Sequence, residues 1–181
     1  MTDLDASQDD THATTEVRII TAALLSVSRE RLLDDPAAAF LASKVQSLGH
    51  QVIKRLTLGP SREAIEQQLR AWIAEESIDV ILVAGGVGLL PGDVVPEAVR
   101  AVIEREMPGF GEAVRAARSE HVGLRALHGR ELAGVSAGTF VLAVSGELDA
   151  CSQAWESVIE PLLDVASPAS LVPLLSALSG G

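Results

Sequence analysis

Short apolar runs alternate with longer amphipathic stretches along most of the chain. Residues 18–27 and 51–58 have the β-branched, apolar character of strands, and residues 80–83 are apolar at every position, as a strand buried on both faces requires. Between the first two runs, Asp35-Pro36 pairs a helix N-cap with a proline at the first helical position. Phe40, Leu41, Val45 and Leu48 then recur at helical spacing until Gly49 stops the run. Ser61 heads a second such stretch, with Ile65, Leu69, Trp72 and Ile73 on one face. The pattern then predicts helices over 97–106 and 110–120, parted by Pro108-Gly109, followed by an irregular 123–130. Strands follow over 132–135 and 139–144, then a helix over 149–164 that turns Trp155, Val158, Ile159, Leu162 and Leu163 inward and bends at Pro161. This alternation predicts an α/β domain whose mostly parallel sheet is covered on both faces.

The ends read differently. Residues 1–15 form an acidic, polar tail without secretory character, residues 16–165 the domain, and residues 166–181 a C-terminal tail. The apolar patch at 171–178 of that last segment suits docking, on the domain or on a neighbouring subunit. The 181 residues suit one domain with a substantial core, and no apolar run approaches the roughly 18 residues of a membrane span. Net charge is −11, of which residues 1–16 carry −5, so neither a nucleic acid nor a membrane is expected as partner. A single cysteine, Cys151, rules out an internal disulfide, and a cytoplasmic location is the default expectation.

The candidate chemistry gathers after the strand at 80–83. That strand empties into Gly85-Gly86-Val87-Gly88, then Asp93, then Pro96-Glu97-Ala98 at the start of a helix. Glycines at the carboxyl end of a parallel strand let backbone N–H groups approach a ligand, often a phosphate. The run is neither a Walker A loop nor a dinucleotide fingerprint. Asp93 either holds a Mg²⁺ beside a phosphate or stabilises its own turn. Glu112 and Arg115 share a helical face, as an ion pair or as ligand contacts. Ser145-Gly146-Glu147 occupies a second strand-to-helix turn, the position of a ligand loop or of a plain turn. His12, His50, His121 and His128 lack metal-ligand spacing.

Taken in order, Gly85-Gly86-Val87-Gly88, Asp93-Val94-Val95-Pro96-Glu97-Ala98, Pro108-Gly109-Phe110-Gly111-Glu112, Gly129-Arg130, Gly138-Thr139 and Ser145-Gly146 resemble the MoaB/MogA family of molybdenum-cofactor biosynthesis proteins. The resemblance spans about residues 17–163. It implies a three-layer α/β/α sandwich assembled as a trimer or hexamer, with molybdopterin as ligand and no permanently bound cofactor. It also implies Mg-ATP as co-substrate for adenylylation, and other cofactor-biosynthesis proteins as partners. By the same resemblance, Gly85, Gly86, Val87, Gly88, Ser145 and Gly146 line the ligand site, with Glu112 and Arg115 beside it. The resemblance likewise implies that Asp93 matches the family's Mg-associated aspartate and is the catalytic residue.

Several family positions are altered. Ala84 and Val87 stand where the family has threonines, Gly92 replaces an arginine, and Val95 replaces a third threonine at the expected N-cap. An aspartate expected at Gly59-Pro60-Ser61 is absent, and Glu147 stands in place of a small polar residue. Nucleotidyl transfer depends on positioning and charge stabilisation, so these changes predict weak or absent adenylyltransfer on a retained binding scaffold. The competing reading is a non-catalytic paralogue acting as an oligomeric scaffold or regulatory protein-binding module.

Overall fold

In the computed structural model, residues 18–30 and 35–179 are described; the acidic stretch 1–15 lies outside them. Six strands form one sheet in the order β2-β1-β3-β6-β5-β4. The strands are β1 (Thr21–Val27), β2 (Gln51–Leu58), β3 (Val80–Ala84), β4 (Arg105–Glu106), β5 (Leu132–Ser136) and β6 (Thr139–Val144). β2, β1, β3 and β6 run parallel, while β5 and β4 close one side antiparallel. Alternation along the strands sorts side chains to two cores. Ala22 and Leu24 of β1 share one with Leu82 and Leu142; Ala23 and Leu25 share the other with Ile81 and Val141.

Helices cover both faces, giving the expected three layers. α1 (Pro36–Ser47), α4 (Pro108–Val122) and the run of α5 (Leu148–Ala154), a π-helical turn (Trp155–Ile159) and α6 (Glu160–Leu163) pack on one side. α2 (Arg62–Ile73) and α3 (Val95–Arg100) pack on the other. Asp35 caps α1 by accepting from the N–H groups of Ala37 and Ala38, and Ser61 caps α2 through Ala64. Both caps are where the sequence puts them.

Four expectations need correction. The helix over 97–106 ends at Arg100, and Arg105–Glu106 is an edge strand on β5. Glu104 N–H donates to the Val135 carbonyl and Met107 N–H to that of Ala133, ladder bonds that outweigh local helix preference. The next helix starts at Pro108, where a missing N–H costs nothing, and not at Phe110. Residues 123–128 form a 3₁₀ turn, not irregular chain. The single helix expected over 149–164 is divided into α5, the π-helical turn and α6, and just before Pro161 the Glu160 N–H reaches back five residues to the Trp155 carbonyl.

Residues 166–181, set apart in the sequence as a tail, include α7 (Val172–Ser179), whose Leu175 joins Leu171 in the first core. The apolar patch therefore docks on its own domain. Leu175 is fully buried, so Leu175→Ala should lower unfolding free energy by about 2–5 kcal/mol in a denaturant melt. No helix among the described residues is long and apolar enough to cross a membrane.

Candidate functional site

From β1 the chain passes to β2 on one side and later to β3 on the other, so the strand order reverses between β1 and β3. At such a point the loops leaving the carboxyl ends diverge and open a crevice. A cavity of about 570 Å³ lies there, walled by Val27–Arg29 after β1, Gly85–Leu90 and Asp93 after β3, and Ser145–Glu147 after β6; Asp35 and His128 also border it. Its volume is that of a small-molecule site.

The glycine loop is held from behind. Gly85 has φ +100°, and a side chain there would strike the Val27 carbonyl oxygen. Beyond it three successive carbonyls are claimed by the protein. Gly86 O accepts from Val95 N–H at 3.1 Å, Val87 O from Arg130 N–H at 2.8 Å, and Gly88 O from Arg130 Nε at 2.7 Å. A trans peptide points its N–H opposite its C=O, so the N–H groups of Val87, Gly88 and Leu89 turn away from these anchors. Among the described residues these three N–H groups have no acceptor in the chain. Successive N–H groups left open on a turn make a concavity suited to an anion.

Arg130 is the hub of this arrangement. Besides Gly88 O, its guanidinium donates to the Asp93 carbonyl and to the Glu97 carboxylate. Burial alone would raise the Glu97 carboxyl. The hydrogen bond from Arg130, one from its own backbone, and the charges of Arg130 and Arg100 outweigh that and hold it below the usual carboxylate value. Because this folded-state value is depressed, the contact stabilises the loop at neutral pH. It is lost only as pH falls through that lowered value.

The structure brings Gly85, Gly86, Val87, Gly88, Asp93, Ser145 and Gly146 to one cavity. Glu112 and Arg115 are not among its lining residues. Glu112 is exposed and Arg115 half-buried on α4, and they form no ion pair with each other. Val87 contributes backbone alone, because its side chain is buried in the second core with Val95. Packing of these two valines holds the loop in place of hydroxyl hydrogen bonds. The helix N-cap falls at Val94, one residue before the expected Val95, and makes no side-chain cap. Sequence reasoning passed over Asp35, which it read as a cap alone, and His128. It also passed over Arg29, which donates to the Pro91 carbonyl. For Arg29 and Asp35 the signal is positional, since both lie in the connection that leaves the parallel strand β1; His128, in the 3₁₀ turn before β5, carries none.

Asp93 Oδ2 accepts from Leu90 N–H at 2.8 Å, the turn-stabilising role. Among the described residues no group of three or more His, Cys, Asp and Glu is placed to hold a metal ion. One remaining carboxylate oxygen fits a Mg²⁺ that arrives with a nucleotide's phosphates, not one held by the protein itself.

Cys151 lies fully buried beneath the site. Burial, and then the charge of Asp35, push its thiol up to about 12. At about pH 8 the native protein should therefore resist a thiol-reactive disulfide reagent that labels the denatured chain completely; labelling of the folded protein at a comparable rate would contradict this.

The family model for a probable molybdopterin binding domain matches residues 23–165. Molybdenum cofactor biosynthesis protein B of Escherichia coli (strain K12) is 40% identical over 143 residues, covering 78% of this chain and 84% of that protein. The chain belongs to the MoaB/MogA family. The namesake from Staphylococcus epidermidis is 36% identical over 154 residues, covering 81% of this chain and 86% of its own length. A crystal structure of Molybdenum cofactor biosynthesis protein B superposes with a TM-score of 0.81 at 25% identity, covering 91% of this chain and 98% of that one. The molybdopterin biosynthesis enzyme MoaB of Thermus thermophilus gives 0.73 at 28% identity, covering 90% and 98%. Cavity, glycine loop and Arg130 all fall inside the family-matched span, whereas α7 lies beyond it.

Proposed function

We propose that this chain takes part in molybdenum-cofactor biosynthesis by binding molybdopterin in the cavity between β1, β3 and β6, with adenylyltransfer weak or absent. The observation that carries the reading is the trio of open N–H groups at Val87, Gly88 and Leu89 beside a cavity of ligand size. They suit the terminal phosphate, and the remaining volume suits the pterin.

The cavity is poor in the groups that nucleotidyl transfer needs. Three carboxylates border it, Asp35, Asp93 and Glu147, against one guanidinium, that of Arg29, which donates one N–H to the Pro91 carbonyl. Charge developing on a transferred phosphoryl group would meet more repulsion than stabilisation. Mg²⁺, where it enters with ATP, would supply neutralisation of the phosphates; the chain could meet it with the free oxygen of Asp93 and the carboxylate of Glu147. The scaffold reading loses one of its supports, since Leu171 and Leu175 are buried in the domain's own core.

Ser145 is half-buried at the cavity wall, outside both cores, so Ser145→Trp fills the space without disturbing packing. Equilibrium dialysis should show saturable molybdopterin binding by the natural chain and a loss of about 100-fold in the variant, at unchanged melting temperature. Equal binding by both proteins, or none by either, would reject the reading. With Mg-ATP added, turnover should fall well below the roughly 10 s⁻¹ typical of enzymes.

A further inference from the structure

Of the three carboxylates that border the cavity, Asp35, Asp93 and Glu147, only Glu147 has both oxygens free among the described residues. Asp35 accepts from the N–H groups of Ala37 and Ala38 at Oδ1 and from the Ser26 hydroxyl at Oδ2. Asp93 Oδ2 accepts from Leu90 N–H. Glu147 occupies the N-cap position of α5, yet its side chain makes no cap; its backbone N–H donates to Ser145 Oγ at 3.2 Å. The turn that carries it packs on the start of the glycine loop, where a Cβ at Gly146 would lie 3.0 Å from Gly85 Cα. One wall of the cavity thus joins a cluster of backbone donors to a free two-oxygen acceptor.

A carboxylate beside an anion site weakens binding of a bare phosphate and disfavours phosphorylated compounds with nothing to offer it. It favours a ligand that carries two adjacent, coplanar N–H donors, which both oxygens can accept together. The 2-amino-4-oxo ring of a pterin presents such a pair at N3–H and the exocyclic amine. We propose that Glu147 is a specificity-determining residue that accepts both of these hydrogen bonds while the N–H groups of Val87, Gly88 and Leu89 hold the phosphate. This rests on the reading of molybdopterin as ligand and adds how the ring is chosen.

The test uses three probes: a pterin with a phosphorylated side chain, the matching lumazine whose 2-amino group is a carbonyl, and inorganic phosphate. Calorimetry would compare the natural chain with Glu147→Ala and Glu147→Gln, changes at an exposed position that melting curves should show to be folded. The natural chain should prefer the pterin over the lumazine by about tenfold. Glu147→Ala should bring that ratio near one and tighten phosphate. Glu147→Gln should shift preference toward the lumazine, since an amide pairs one acceptor with one donor. A ratio unchanged in both variants would overturn the role of Glu147 while leaving the ligand class standing. Failure of the natural chain to bind either ring would overturn the ligand class and this proposal together.

Discussion

Gly85→Ala is expected to lower the unfolding free energy by about 3–5 kcal/mol and to abolish ligand binding. At φ +100° any Cβ is strained, and here it would also collide with the Val27 carbonyl oxygen. Neither partner has room to move. Gly85 N–H is bonded to the Val144 carbonyl at 2.9 Å, and β1 and β3 are in register through Ser26 and Ala84 just before the contact. On the opposite side the turn at Gly146 closes in. Strain and overlap therefore fall on backbone, where no rotamer change relieves them. Denaturant unfolding checks this; a variant within about 0.5 kcal/mol of the natural chain would show that the loop yields as surface positions do.

The second large effect is expected at Arg130. Arg130→Met keeps much of the side-chain volume but removes the donors to Gly88 O, Asp93 O and Glu97. The carbonyls that these bonds orient would be free to rotate, and the N–H groups of Val87, Gly88 and Leu89 would lose their common direction. Affinity should drop about 100-fold, while stability falls by only about 2 kcal/mol, because Arg130 and Glu97 are both partly exposed and solvent screens their attraction. Arg130→Lys should not restore binding, since one ammonium cannot span three acceptors held by a planar fork. Amide hydrogen exchange at Val95 and at position 130, whose N–H groups are bonded to Gly86 O and Val87 O, should quicken in both variants. Full affinity with lysine at this position would mean that charge, and not the fork, anchors the loop.

Much of this architecture was legible in the chain because the determining forces are local or periodic. Asp35-Pro36 and Ser61 act as caps through atoms two or three residues away, and the continuous apolar run at 80–83 is what burial on both faces demands. The glycine loop was legible for a similar reason, since its conformational requirement is written in residue type. The rest depends on partners distant in sequence. Arg105–Glu106 is a strand because Gly134 lets it approach: a Cβ there would meet the Arg105 carbonyl at 2.7 Å and Ile103 Cδ1 at 2.5 Å. Arg130 appeared as part of a family pattern, but its targets are backbone carbonyls, which no side-chain motif reveals. Glu112 and Arg115 share a helical face, yet the sequence could not say which surface that face would meet.

The central claim is that the open N–H groups of Val87, Gly88 and Leu89 receive the phosphate of molybdopterin. Amide chemical-shift mapping of the ¹⁵N-labelled protein during a molybdopterin titration tests it most directly. Saturable downfield shifts at those three amides, with lesser changes at Ser145–Glu147 and none on α7, are the predicted result. Shifts that bypass residues 87–89, or a spectrum unmoved at high ligand concentration, would contradict the account.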